Sequence, residues 1–235
     1  TRICHSKSDV RLGPAAASSR TASFEKDPRQ YVVIPAHTRV LHKKLNEKQP
    51  VLRKRLVELG YNTCARRGRI AVITGGVAAG YVHEVLADTV SFAQIGAYPI
   101  DEEWLADFVR DHEMVVVIEE LAPVIEEVVR QVAGTVPVLG KKTGHVPFEG
   151  EFSPGQVSGC LTRAGVPVKV TYPEPAQPAG LPVRPPIPCA GCMHRTAMYA
   201  IKKVFRDGIY PSDIGCYTLG LQLGVVDTTI CMGAS

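Results

Sequence analysis

The sequence has no long apolar run and few aromatic residues. No stretch approaches the roughly 18 uninterrupted apolar residues of a transmembrane helix, and the N-terminal stretch lacks the charged-then-apolar order of a signal peptide. Aromatic residues make up 6% of the chain, and none interleaves with the basic runs as nucleic-acid-binding segments require. These absences predict a cytoplasmic protein with neither a membrane nor a nucleic acid as its partner.

No single charged patch explains the net charge of +4. Between Arg39 and Arg69 there are ten Lys or Arg and two acids, whereas between Asp101 and Glu127 there are ten acids and one Arg. The two blocks nearly cancel. We interpret the run Arg53-Lys54-Arg55 as a solvated helix face.

Cysteines are present in an odd number, seven, which does not suit a secreted disulfide framework in a chain of this length. Four of them (Cys189, Cys192, Cys216 and Cys231) lie in the last 47 residues. Their clustering indicates metal or redox chemistry in a reducing compartment. We expect the other three, Cys4, Cys64 and Cys160, to be free thiols.

The chain is long enough for one medium core and part of a second. We expect a connecting segment at 1–67 with a short helix near 50–59, an α/β domain at 68–145, a Pro/Gly-rich linker at 146–186, and the beginning of another domain at 187–235. Thr1 in place of Met, and an apolar C-terminal run without a stop signal, predict that both ends are cuts.

The middle domain shows short β-rich runs that alternate with amphipathic helical runs. This order predicts an α/β fold with a mostly parallel sheet covered on both faces. The predicted strands are 69–74, 90–94, 114–118 and 136–139, and the predicted helices are 79–86, one opened by 99–103, and 123–132.

Two residue pairs follow predicted strands, where ligands of such sheets usually bind. Gly75-Gly76 lacks the spacing of a dinucleotide fingerprint, which favours a plain turn over a phosphate cradle. Glu119-Glu120 is either a pair of site carboxylates or the solvent end of a strand, and the second is favoured.

The run Pro188-Cys189-Ala190-Gly191-Cys192 places two thiols on a turn directly before a helical pattern. A helix N-terminus favours thiolate and negatively charged clusters. With Cys216, and with Cys231 or His194 as a further ligand, the thiols suit a zinc site or a [4Fe-4S] cluster. A thioredoxin-like dithiol would leave Cys216 unexplained. Spacing alone leaves zinc and iron–sulfur open.

The C-terminal segments resemble the opening of the thiamine-diphosphate domain in the large subunits of indolepyruvate:ferredoxin oxidoreductases, of the 2-oxoacid:ferredoxin oxidoreductase family. Upstream segments resemble the same subunit in the same order. The segments are Cys-Ala-Gly-Cys-Met-His-Arg from Cys189, Tyr-Pro-Ser-Asp-Ile-Gly-Cys-Tyr-Thr-Leu-Gly from Tyr210, Cys-Met-Gly-Ala-Ser from Cys231, and, upstream, Thr-Arg-Ile-Cys-His-Ser from Thr1, Ile-Thr-Gly-Gly-Val-Ala from Ile73 and Val-Ile-Glu-Glu-Leu from Val117.

The resemblance implies an enzyme that oxidatively decarboxylates aryl 2-oxoacids such as indolepyruvate to acyl-coenzyme A. It implies ferredoxin as electron acceptor, a small beta subunit as partner, and thiamine diphosphate with Mg²⁺ as cofactor. It also implies a [4Fe-4S] cluster on Cys189, Cys192 and Cys216, whose fourth thiol comes from farther along, with Cys231 as second choice.

The same resemblance places five residues near the thiamine diphosphate: Gly215, Cys216, Asp227, Met232 and Gly233. It implies that 1–67 leads from a pyrimidine-binding domain and that 68–145 is similar to the transketolase C-terminal domain. The segment that would hold Mg²⁺ and diphosphate is absent from the sequence, so we expect the chain alone to be inactive. No catalytic residue is assigned.

Two alternatives stay open. One is a zinc-stabilised, non-catalytic α/β interaction module with Cys189, Cys192, Cys216 and Cys231 as ligands. The other is a related 2-oxoacid:ferredoxin oxidoreductase with another substrate.

Overall fold

The chain divides into two compact units, Thr1–Pro175 and Ala176–Ser235. The computed structural model describes residues 11–13, 23–173, 180, 182 and 185–230. The division lies inside the segment 146–186 that the sequence predicts as a linker.

The first unit is built on a five-stranded sheet with the order β1-β3-β2-β4-β5. Strands β2 to β5 are parallel to one another, and β1 pairs antiparallel with β3 at one edge. The strands are β1 (Asn62–Ala65), β2 (Ile70–Gly75), β3 (Ser91–Ile95), β4 (Met114–Ile118) and β5 (Val138–Leu139). The predicted α/β class and the mainly parallel sheet are confirmed.

Helices cover both faces of this sheet because its central strands are apolar on both sides. On one face, Val72 and Val116 pack with α3 (Ala78–Val85) and α6 (Pro154–Arg163). On the other, Ile73 and Val117 pack with α4 (Glu102–Arg110) and α5 (Val124–Val132). Where both ends were predicted, the helices and strands at 69–139 differ from the observed bounds by no more than two residues, and the helix opened by 99–103 begins at Glu102.

The segment expected to connect domains at 1–67 contains regular structure. A one-turn helix, α1 (Pro28–Tyr31), precedes α2 (Pro35–Glu58), a helix of 24 residues that replaces the short one predicted near 50–59. Pro50 indicated a helix start, but Pro35 holds the first helical position and the helix continues through Pro50.

Strand β1 also falls inside that expected connecting segment. Its first residue, Asn62, is buried and acts as a clamp on the chain after β3. The Asn62 side chain accepts hydrogen bonds from the N–H groups of Gly96 and Ala97, both at 3.0 Å, and donates to the Ala97 carbonyl at 3.1 Å. These contacts attach the antiparallel edge strand to the parallel sheet.

The predicted linker contains helix α6, which belongs to the core. Ser153 caps it by accepting from Gln156 N at 3.2 Å, and Pro154 takes its first position. Val157 and Leu161 are fully buried. The Pro/Gly-rich composition of 146–186 predicted a linker, yet most prolines of the segment follow position 172, whereas Pro154 sits where a helix tolerates it.

A fully buried carboxylate, Glu126, joins α5 to the loop after β5. It accepts from Arg130 Nε and Nη2 at 2.9 and 2.7 Å and from Lys141 N at 2.7 Å. A Cβ on Gly140 would lie 2.6 Å from Glu126 Oε2, so the carboxylate approaches the backbone where only glycine leaves room. Beside it, burial lowers the pKa of Lys141, whose ammonium lies over the Phe148 and Phe152 rings.

The second unit has little regular structure. It comprises α7 (Met193–Val204), a 3-10 helix (Thr218–Leu223), and two short parallel strands, β6 (Pro211–Ser212) and β7 (Thr228–Thr229). Its buried side chains include Met198, Tyr210 and Val226. Over the part of the chain that the structure describes, none of the helices combines the length and apolarity needed to cross a membrane.

We expect Glu126→Ala to lower the free energy of unfolding of the first unit by roughly 2–4 kcal/mol, because it leaves buried N–H donors without an acceptor. Urea denaturation followed by the fluorescence of Trp104, the single tryptophan, measures this loss. The matched control is Glu127→Ala, which removes an exposed ion pair with Lys142 and should cost less than about 1 kcal/mol. Equal losses for the two variants would contradict the assigned role of Glu126.

Candidate functional site

Strands β2 and β4 end beside each other at a crevice of about 390 Å³. The helix that follows β2 covers one face of the sheet, and the helix that follows β4 covers the other. Such a reversal opens a crevice at the carboxyl ends of the strands, which is the usual ligand position in this class of fold. Both pairs predicted at these strand ends, Gly75-Gly76 and Glu119-Glu120, line the crevice.

Glu119 is buried and caps helix α5. Its two carboxylate oxygens accept from Ile125 N and Glu126 N, each at 2.8 Å, which satisfies donors that the first helical turn leaves free. Burial raises the pKa of Glu119, and this outweighs the two N–H donors and the ammonium of Lys141, which lower it. Partial burial and the charge of Glu119 also raise the pKa of Tyr98 across the crevice.

The other crevice residues have structural partners as well. Glu120 Oε1 accepts from Phe152 N at 2.7 Å. A Cβ on Gly75 would lie 2.7 Å from Ile125 Cδ1 and 2.9 Å from the Ile95 carbonyl oxygen, and Gly76 has φ +61°. The two glycines therefore permit a tight turn against α5, in agreement with the turn interpretation.

In the second unit, the cysteine turn stands directly before α7, as the sequence predicts. Cys192 N donates to the Cys189 carbonyl at 3.2 Å, and Gly191 has φ +73°. Cys189 is exposed and Cys192 is half-buried at the N-cap position of the helix. Cys192 Sγ lies 3.3 Å from His194 Nδ1.

The third predicted thiol, Cys216, is exposed and follows Gly215, which has φ +123°. The next residue, Tyr217, meets the His194 ring edge-to-face with ring centroids 4.6 Å apart. This ring pair connects the segment of Cys216 to the first turn of α7, next to Cys192. The sequence suggested His194 as a possible metal ligand but gave no sign of this ring contact.

These thiols are not gathered into one metal site. Within residues 11–13, 23–173, 180, 182 and 185–230, no group of three or more His, Cys, Asp or Glu side chains is placed to hold a metal ion. The assignment of Cys189, Cys192 and Cys216 to a [4Fe-4S] cluster stays a prediction. Cys64 and Cys160 are free thiols, as expected, and Cys4 and Cys231 lie outside the described residues.

Asp227, expected near the thiamine diphosphate, holds the two short strands together. Its Oδ2 accepts from Tyr210 N at 2.8 Å, and its own N–H donates to the Tyr210 carbonyl at 2.9 Å. The carboxylate thus has a backbone partner just before β6. Met232 and Gly233, predicted for the same cofactor, lie outside the described residues.

An apolar cavity of about 560 Å³ lies beside α7. His194 and Tyr217 border it, so it adjoins the cysteine turn. Other lining residues include Met193, Ala197, Met198, Ile201, Ile209, Tyr210, Val225 and Val226. Sequence periodicity indicated the apolar face of α7 but not this cavity.

The chain is similar to three archaeal proteins named indolepyruvate oxidoreductase subunit IorA. It is 34% identical to the one from Archaeoglobus fulgidus and 33% identical to the one from Thermococcus kodakarensis, over 100% of this chain and 40% of each relative. The Methanothermobacter thermautotrophicus protein is 30% identical over 100% of this chain and 41% of its own length. The chain thus spans about two fifths of the length of these relatives. No family model and no solved structure matches it.

The raised pKa of Glu119 gives a pH prediction. The pKa of Glu119 is higher in the folded protein than in the unfolded chain, so its contribution to stability is fully present below the unfolded pKa and is lost as pH rises through the folded pKa. The free energy of unfolding of the wild type minus that of Glu119→Gln should therefore fall as pH rises through that window. Urea titrations at a series of pH values measure this difference. A difference that is flat or rises with pH would contradict the prediction.

Proposed function

We propose that this chain belongs to the same protein family as the IorA subunits of indolepyruvate oxidoreductase and forms part of an oxidoreductase acting on 2-oxoacids. Similarity over the whole chain carries the proposal. The proposed substrates are aryl 2-oxoacids such as indolepyruvate, which the enzyme converts to acyl-coenzyme A. The proposed partners are a small beta subunit and ferredoxin, in the cytoplasm.

The proposed contribution of this chain is a set of thiol ligands for a [4Fe-4S] cluster. The exposure of Cys189 and Cys216 and the position of Cys192 at the N-terminus of α7 support it. The partial positive charge of a helix N-terminus suits the net negative charge of a thiolate-ligated cluster.

A bound cluster supplies a one-electron acceptor. The role of the protein is to hold the thiolates and to orient them. The His194–Tyr217 ring pair is suited to that orienting role, because it joins the cysteine turn to the segment of Cys216. The resemblance further assigns Gly215 and Asp227 to the surroundings of thiamine diphosphate.

Iron binding tests the ligand assignment. Anaerobic reconstitution of the purified chain with iron and sulfide should give a broad absorbance band near about 400 nm and up to about four iron atoms per chain. Cys189→Ser, Cys192→Ser and Cys216→Ser should each remove most of the band and of the bound iron. Absorbance scans and metal analysis measure both quantities.

Cys64→Ser is the matched control, because Cys64 is a free thiol of the first unit. It should leave iron binding unchanged. Colourless protein with stoichiometric zinc would instead support the alternative, a zinc-stabilised interaction module without catalysis. Equal loss of iron in the control and in the three variants would contradict the ligand assignment.

A test of the proposed substrate class requires the assembled enzyme. The whole-length protein containing this chain, purified anaerobically with its small subunit, should reduce ferredoxin with indolepyruvate and coenzyme A faster than with pyruvate. A spectrophotometric ferredoxin assay with both substrates measures the ratio. Preference for pyruvate would favour the other alternative, a related oxidoreductase with a different substrate.

A further inference from the structure

The crevice at the ends of β2 and β4 belongs to the first unit and has no part in the proposed thiol chemistry. Its volume of about 390 Å³ lies in the range of small-molecule pockets, roughly 300–1,000 Å³. It also occupies the position where sheets of this topology bind ligands. The chemistry of its lining indicates which ligand it suits.

The charges in the crevice disfavour an anion. Among the described residues that line it, Glu119 and Glu120 are acidic and none is Lys, Arg or His. The N–H groups of Ile125 and Glu126 at the start of α5, which could bind an anion, already donate to Glu119. The N-terminus of α3 also borders the crevice. Its partial positive charge is smaller in magnitude than the negative charge of two carboxylates.

A metal ion does not suit the crevice either. Two carboxylates are fewer oxygen ligands than divalent cations require, and both oxygens of Glu119 are committed to α5. None of the His, Cys, Asp and Glu groups in the described part of the chain forms a metal-holding set of three. The favourable charge is therefore a cation that needs few ligands, such as an organic ammonium.

The walls of the crevice are apolar and partly exposed. Tyr98, Leu121 and Val124 line it with exposed fractions of 56%, 66% and 50%. Leu121 has φ +57°, a conformation uncommon for a residue with a side chain. An exposed aromatic ring beside two carboxylates suits a cation with an apolar body, since ring faces attract ammonium groups.

We propose that this crevice binds a small arylalkyl amine, with the ammonium group at Glu120 and the apolar body against Tyr98 and Leu121. Glu120 is the charged contact because it is half-buried and, among the described residues, the hydrogen bond from Phe152 N goes to its Oε1 alone. Glu119 adds negative charge at the same crevice while it caps α5.

The test uses 2-phenylethylamine as the probe and 3-phenylpropionate as an isostere of opposite charge. Isothermal titration calorimetry on the purified chain should detect the amine and not the carboxylate. Glu120→Gln should weaken amine binding roughly tenfold, as expected for the loss of a charge-assisted hydrogen bond. Tyr98→Ala should weaken it as well, and since that ring is exposed, this variant tests the site without disturbing the core.

The matched control is Glu113→Gln, which makes the same charge change at the opposite edge of the sheet, where β4 begins. It should leave the affinity unchanged. Thermal melts establish that each variant is folded. Absence of amine binding, equal binding of the carboxylate, or affinity unaffected by both Glu120→Gln and Tyr98→Ala would overturn the proposal, whatever the outcome of the iron experiments.

Discussion

The first unit depends on two buried carboxylates that satisfy backbone N–H groups at the carboxyl edge of its sheet. Glu119 accepts hydrogen bonds from the first N–H groups of α5, and Glu126 accepts a hydrogen bond from Lys141 N in the loop after β5. Each carboxylate accepts hydrogen bonds from N–H groups that burial would otherwise leave unpaired. An unpaired buried donor lowers the free energy of unfolding by an amount that is large for a small domain. The same two residues fix the positions of β4, α5 and the loop after β5 relative to one another. The shape of the crevice therefore depends on them.

Strands and helices between residues 69 and 139 could be predicted because their signals are local. Runs of β-branched residues such as Val115 to Ile118 form central strands. Asp101 indicates the start of the helix that it caps. Helix α6 and strand β1 depend on distant partners, α3 and β3, which no local pattern reveals. Helix α2 was shortened at Pro50 because a proline inside a helix is rare and a proline at its start is common.

The candidate sites divide in the same way. Spacing identified Cys189 and Cys192 and their position before a helix, since both lie within one turn. It could not give the place of Cys216, which is set by the packing of Tyr217 on His194. Nor could it separate a carboxylate that serves chemistry from one that serves the backbone. Asp227 was assigned by resemblance, and Glu119 was expected at the solvent end of a strand, where it is in fact buried. Both accept hydrogen bonds from the main chain.

Helix α2 has no buried side chain along its 24 residues. Most helices in proteins owe their stability to an apolar face against a core. The described contacts of α2 include its own hydrogen bonds, the pairs Lys43–Glu47 and Arg55–Glu58, and an exposed pair between Arg53 and Glu102 of α4, and its interior proline omits one bond. Its opening therefore costs far less than unfolding of the sheet. Within the described part of the chain, we therefore expect α2 to open locally, and to be cut by a protease, before the sheet unfolds.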